Sequence, residues 1–310
     1  MLLAALIALP FVAVDQEYAV EMLFLIFLYG AMATAWNLLG GLAGQISFGH
    51  AAFLGIGAYA TTVLLAKGTP LAVAVVVSAL LAGAYSLLIG VPAFRLRGPY
   101  FSIATIGIGE ATRLIALNWD SLTGGASGLT LASAPPLRTQ YFAALLLLVA
   151  AVGIAAWIKA SRFGYALAAV RQDTDAAETL GVATTFAKTQ ALFISACILG
   201  VAGSVYAEHY LFISPDSVFG FSTSIAFVIM PIIGGLGTVA GPLIGAVVYT
   251  FIREQFAATL GNADLLAFGV LLIAIVVFEP KGILGIVDRI RRAGAPRAPA
   301  APRPAENADG

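Results

Sequence analysis

Charge is what this sequence has least of. Only 10% of its 310 residues are Asp, Glu, Lys or Arg, against about a quarter in a typical soluble domain. Sixty per cent are hydrophobic and the mean hydropathy is +0.97. A larger core does not absorb the shortage, because a chain of this length still exposes much of its surface; a surface facing lipid does, which excludes a soluble globular domain. Cysteine is almost absent. Cys197 alone excludes an internal disulfide and leaves no metal or redox pattern, and in its apolar run it reads as a small packing residue. No GxxxxGK[ST] is found, so nothing here cradles the phosphates of a nucleotide. Catalytic constellation, cofactor site and nucleic-acid partner are all unexpected. The first apolar stretch, Leu2 to Val14, lacks a basic flank and an Ala-x-Ala cleavage site, so it is not read as a signal peptide. It is also short of the roughly 20 residues a span needs, which points to a start upstream or to a tilted or interfacial segment.

What the sequence does have is apolar runs separated by turn residues. They predict an all-α integral membrane protein, a polytopic helical bundle of about ten transmembrane spans, near 2–14, 18–38, 42–66, 71–92, 100–117, 139–158, 186–207, 219–234, 239–254 and 263–279. The glycine-rich pair at 219–254 also suits a re-entrant segment. The basic residues set the orientation. With the amino terminus inside, twelve of the sixteen Lys and Arg fall on the cytoplasmic side, leaving Lys67, Arg113, Arg138 and Arg253 outside or at its boundary. Both termini are therefore expected to be cytoplasmic, which requires an even number of spans. Residues 1–292 form the transmembrane domain. Residues 293–310 form an Ala/Pro-rich tail that has too little to bury to become ordered.

Two connections are long. The outer one, 118–138, is rich in Gly, Ser, Thr and Pro. The inner one, 159–185, contains SRFGYALAAVRQDTDAAETLGVATTFAKTQAL. Leu167, Val170, Ala177, Leu180 and Val182 form its apolar positions, while Arg171, Asp173, Asp175 and Glu178 take polar ones. The pattern predicts one or two short amphipathic helices at the membrane face, stopped by Gly181. The segment is either a solvated connection or a docking element for a soluble partner.

In GGLAGQISFGHAAFLGIGAY, Gly40 and Gly44 form a GxxxG pair, and Gly49, Gly55 and Gly57 continue a small-residue face. Such glycines allow close helix packing or an unwound stretch along a cavity. Gln45, Ser47 and His50 are costly to bury unpaired, so they either bond neighbouring helices or line a translocation route; a proton relay at His50 is a third option. A second stretch, Gly234-Gly235-Leu236-Gly237 with Gly241 and Gly245, echoes the first, and close packing is again the simpler reading. Glu110 and Arg113 are three apart, so they can meet on one helix face, as a local ion pair or as a contact for a charged group on the substrate.

Gly41 to Leu64, RLRGPYFSIATIGIGEATRL at 95–114, TGGASGLTL at 123–131, the inner loop and GGLGTVAGPLIGAVV at 234–248 together resemble the permease subunits of branched-chain amino acid ABC transporters, most closely the LivM type. The resemblance covers nearly the whole chain outside the tail. It implies a second, LivH-like permease, two ATP-binding subunits, and a periplasmic or extracellular substrate-binding protein, in a prokaryotic plasma membrane. It also implies that Asp175-Ala176-Ala177-Glu178-Thr179-Leu180-Gly181 is the loop that docks on the ATPase. Glu178 and Arg171 are then the candidate contacts, and Ala176, Ala177 and Gly181 permit close packing. The acidic residue follows the alanines here, and the spacing to the glycine is shorter than in the general pattern. Outside, Gly124–Gly128 with Glu208, His209 and Asp216 would receive the binding protein. Urea and short-amide permeases are similar, so the substrate stays open among these. A secondary transporter would need ionisable groups at mid-membrane, and a passive channel gives no reason for the inner loop.

Overall fold

The computed structural model describes residues 10, 17–260, 269 and 282–285. The expected spans at 2–14 and 263–279 lie outside these but for one residue each, as does the tail at 293–310. In chain order come α1 (Glu17–Asn37), a π-helical turn (Leu38–Leu42), α2 (Ala51–Ala66), α3 (Leu71–Ala93), α4 (Pro99–Asn118), the one-turn α5 (Asp120–Thr123) and a 3-10 turn (Gly125–Ser127). After β1 (Leu129–Thr130) follow α6 (Leu137–Ala160), α7 (Arg162–Gln172), α8 (Thr174–Thr179) and α9 (Thr184–Tyr210). The remainder is β2 (Phe212–Ile213), α10 (Pro215–Phe219), α11 (Phe221–Gly234) and α12 (Gly241–Leu260). Among the described residues five helical segments are long and apolar enough to cross a membrane: Glu17–Leu42, Leu71–Ala93, Leu137–Ala160, Thr184–Tyr210 and Pro215–Gly234.

The burial pattern of α3 shows what solvent these helices face. Ala74, Ser78, Ala82, Ser86 and Gly90 are buried at four-residue intervals, while Val73, Val76, Leu80, Leu87 and Leu88 are exposed. A water-soluble helix would place them the other way round. Small residues inward and large apolar ones outward is the arrangement of helices packed in lipid, where close backbone approach replaces the hydrophobic drive. The α3 stripe meets α9, which also packs on α2. At the junction a Cβ on Gly57 would lie 2.2 Å from the Gly200 carbonyl oxygen. The hydroxyls of Thr61, Ser78 and Ser204 link the same three helices at 2.6–2.7 Å, so their polar groups are satisfied inside the bundle.

α1 is the central helix. Phe24, Leu28, Met32 and Trp36 are fully buried, and α6, α9, α11 and α12 pack around it. One expected span is corrected. The run at 42–66 is helical only from Ala51, and residues 43–50 cross irregularly. The cause is local: Gly44 takes φ +72°, which ends the π turn, and the freed backbone finds side-chain partners described below. β1 and β2 form a two-residue antiparallel ladder, Leu129 to Ile213 and Thr130 to Phe212, which fastens the 118–138 connection to the far end of α9.

Candidate functional site

The irregular segment 43–50 is held by hydroxyls from two helices. Ser102 and Thr105 of α4 bond the Ile46 carbonyl (2.7 Å) and the Phe48 N–H (3.0 Å), and Ser224 of α11 accepts from the Ala51 N–H at 3.1 Å. Trp36 donates its indole N–H to the Ser47 carbonyl at 2.7 Å. Each partner satisfies a backbone group that a continuous helix would have satisfied itself. His50 is fully buried, bonded through Nδ1 to the Ser47 hydroxyl at 2.9 Å and edge-on to Phe53. Gln45 is half-buried at the open rim of the segment.

A second break lies between α11 and α12, and the two breaks touch. Asn37, the last residue of α1, donates from Nδ2 to the Thr238 carbonyl and accepts from the Gly237 N–H through Oδ1, both at 2.9 Å. The backbones are in contact: a Cβ on Gly41 would stand 2.7 Å from the Gly237 nitrogen, and one on Gly237 would stand 2.8 Å from the Gly41 oxygen. Lys159, at the end of α6, donates to the Gly237 carbonyl at 3.1 Å.

The inner connection, expected to hold one or two short helices, folds as two. Ser161 caps α7 by accepting from Gly164, and Asp173 caps α8 by accepting from Asp175 and Ala176. Gly181 stops α8 at φ +85°, with its N–H on the Glu178 carbonyl and the Val182 N–H on that of Ala177. That pair of bonds is a Schellman ending, which needs a left-handed residue at Gly181. Leu167, Val170 and Ala177 are buried as expected. Leu180 is not: the turn swings it outward, and it is 83% exposed.

Arg171 joins these parts. Its side chain runs over Gly44, where a Cβ would meet the arginine Cγ at 3.0 Å, and its guanidinium lies over Gly237, where a Cβ would meet Nη1 at 2.1 Å. A single side chain of the loop therefore seats on both helix breaks. The other loop candidates lie nearby with separate partners. Asp175 pairs with Arg97 at 2.8 Å on the exposed face, and Glu178 accepts from the Thr184 hydroxyl at 2.5 Å. Ala176 and Gly181 are exposed, and Ala177 is buried beneath them. Asn37 was not singled out from the sequence, Gly237 only as one of a glycine run read as close packing, and Lys159 only as a cytoplasmic charge. A lone Asn in an apolar run is a legible signal, but its partner lies two hundred residues away.

At the far end of α9, Arg113 grips Glu110 with Nε and Nη2 (3.0 and 2.6 Å) and reaches Asp216 of α10 with Nη1 at 2.5 Å. Two residues expected on a translocation path and one expected at a docking surface thus form one cluster. Glu208 is buried beside Thr62, Thr130 and Ser133. His209 bonds Gln140 at 2.7 Å and lies 4.3 Å from the Phe24 ring centroid.

A family model described as branched-chain amino acid transport system / permease component matches residues 18–277. Among curated relatives, the high-affinity branched-chain amino acid transport system permease protein LivM of Escherichia coli K12 is 28% identical over 91% of this chain and 73% of its own length. Its counterpart LivH is 27% identical over 83% of this chain and 91% of its own. The autoinducer 2 import system permease protein LsrC of E. coli is 30% identical over 74% and 69%. No solved structure gives a significant match.

Proposed function

The chain belongs to the family of branched-chain amino acid transport system permease components, and from that premise we propose that it is the membrane subunit of an ATP-binding-cassette importer, moved by ATPases on other polypeptides. It works as a multi-pass protein of a prokaryotic plasma membrane, with about ten spans and both termini in the cytoplasm. The substrate is a branched-chain or related hydrophobic amino acid, delivered by a soluble binding protein, and a LivH-like permease completes the pathway. The chain carries no chemistry itself: its part is alternating access, in which packed spans shift between outward- and inward-open arrangements.

The observation that carries this reading is Arg171. The α7–α8 hairpin presents exposed Ala176, Glu178, Leu180 and Gly181 on one side and seats Arg171 on Gly44 and Gly237 on the other. A push on the hairpin by an ATPase therefore acts directly on the irregular segment 43–50 and on the turn that joins α11 to α12, neither of which is stiffened by helical backbone bonds. The exposed Leu180 supplies the apolar anchor that a docking contact needs.

The test places a thiol at the tip. In a Cys197→Ala background, Leu180→Cys is oxidised against single cysteines in the ATPase subunits, with Phe212→Cys as control. α9 separates the two positions by 27 residues, about 40 Å at 1.5 Å per residue. Cross-links from Leu180→Cys and none from Phe212→Cys are expected; the reverse pattern sinks the docking assignment and the orientation with it. On the far side, Asp216 and Arg113 are the proposed contacts for the binding protein, with Glu208 and His209 near the end of α9. Charge reversal at Asp216 should weaken stimulation of the ATPase by loaded binding protein. Unchanged stimulation removes the cluster from that role.

A further inference from the structure

A groove of about 440 Å³ lies at the hairpin end of the bundle, walled by α3, α6, α7 and α9. Leu87, Phe163, Phe186 and Phe193 give it an apolar floor, and no carboxylate lines it among the described residues. Its deepest residue on α9 is Ile194, ten residues past Thr184, about 15 Å along the helix. That is half of a hydrocarbon layer about 30 Å thick, so the groove ends where one lipid leaflet ends. Gln190 lines it six residues past Thr184, about 9 Å in. It is exposed, and its amide has no hydrogen-bond partner among the described residues. Trp157, three residues before the end of α6, is exposed with its indole N–H equally unmatched. At the mouth of the groove α7 begins with Arg162, beside Phe163, so its guanidinium adds to the positive end of the helix dipole. Among the described residues the ion pairs join Arg97 to Asp175 and Arg113 to Glu110 and Asp216, leaving Arg162 without a carboxylate.

We infer that an anionic phospholipid of the inner leaflet occupies this groove and clamps the base of the hairpin. One acyl chain lies on the phenylalanines and Leu87 and stops near mid-membrane. The ester oxygens accept from Trp157 and Gln190; an amide facing bare hydrocarbon would be costly, and tryptophan favours this level of the membrane. The phosphate lies on Arg162 at the start of α7, where free backbone N–H groups also favour an anion. A helix of a partner subunit fits less well. It would run on through the outer leaflet, and its backbone carbonyls are already bonded within it, so it offers Gln190 and Trp157 no main-chain acceptor. α7 continues to Arg171, which seats on Gly44 and Gly237, so a lipid that fixes Arg162 and Phe163 fixes the hairpin on both helix breaks. The inference rests on the importer reading for its leaflet and for its effect on transport; lipid binding itself does not depend on that reading.

Binding is read from tryptophan fluorescence of the full chain in vesicles, with Trp119→Phe leaving Trp157 and the buried Trp36. Brominated phosphatidylglycerol should quench Trp157 with about fivefold the apparent affinity of brominated phosphatidylcholine, the preference that one basic residue gives an anionic headgroup. Arg162→Gln should remove the difference. Equal quenching by the two lipids, which needs no variant to observe, overturns the site, and so does a difference that survives Arg162→Gln. In the assembled importer, with Cys197→Ala, Phe193→Cys should form no disulfide with single cysteines in the second permease; such cross-links would put a protein helix in the groove and overturn the lipid. Leucine uptake per ATP hydrolysed should be several-fold higher in vesicles containing phosphatidylglycerol than in phosphatidylcholine alone, and Arg162→Gln should lose that gain. Equal uptake per ATP in the two overturns the clamp. If the unmodified importer shows no ATP-dependent uptake in either vesicle, the importer reading fails, while the quenching still decides the site.

Discussion

Three glycines separate the effects that hold together the two segments on which Arg171 sits. Gly237 has φ +75° and its Cβ position is occupied by the Arg171 guanidinium and the Gly41 carbonyl. Gly181 has φ +85° with open space around it, and Gly153 is helical with open space. Alanine in the left-handed region costs about 1–2 kcal/mol, and overpacking a close contact adds about 1–3 kcal/mol. Gly237→Ala should therefore destabilise by about 2–5 kcal/mol and Gly181→Ala by about 1–2 kcal/mol. Gly153→Ala should stabilise by up to about 1 kcal/mol from helix propensity alone. At about 3 °C per kcal/mol for a chain of this order, thermal unfolding in detergent should show a loss of about 6–15 °C, a loss of about 3–6 °C and a gain of about 3 °C. The order matters more than the values. If Gly237→Ala unfolds no earlier than Gly181→Ala, the backbones of Gly41 and Gly237 are not in contact and the coupling route is wrong. If the order holds, Gly237→Ala should also hydrolyse ATP in the assembled importer with less uptake per turnover, because the loop no longer seats on the break.

The remaining expectations concern the same contacts. Asn37→Ala removes both bonds across the breaks and strands a buried N–H and a carbonyl, at about 1–3 kcal/mol each; Asn37→Asp keeps the acceptor for Gly237 but turns a buried carboxylate oxygen on the Thr238 carbonyl, and should lose at least as much in the same melt. Asp175→Asn breaks an exposed pair with Arg97, and should change stability by no more than about 1 kcal/mol; a larger loss would mean the pair is shielded by a neighbour. Thr61→Val should cost more than Thr189→Val, since Thr61 bonds Ser78 and Ser204 inside the bundle while Thr189 bonds only its own helix.

The hairpin at 161–181 was readable because its signals are local. The apolar spacing of Leu167 and Val170 and the glycine at 181 act within a few residues, and the structure keeps them. Leu180 was misplaced because apolar spacing continues through it, whereas the Schellman turn ends the helix one residue earlier and rotates it outward. The break at 43–50 was hidden for a related reason. GLAGQISF is apolar enough to pass for helix, and what unwinds it comes from Trp36, Ser102, Thr105 and Ser224, three of them remote in sequence. The pairing of Asn37 with Gly237, and of Arg113 with Asp216, is likewise between residues more than a hundred positions apart. Arg253, counted from the sequence among the basic residues outside or at the membrane boundary, meets Tyr29 of α1, another partner more than two hundred positions away. Local chemistry was thus legible, and the functional geometry, which depends on which helix meets which, was not.

The central claim is that the chain is moved by ATPases through the α7–α8 hairpin and has no energy source of its own. Uptake of labelled leucine into proteoliposomes tests it most directly, with this chain reconstituted alone and again with a LivH-like permease, both ATPases and the binding protein. The account predicts uptake only in the complete assembly, with ATP and loaded binding protein present, and its loss on Glu178→Arg or Gly181→Trp. Uptake by the chain alone, driven by an ion gradient, would contradict it.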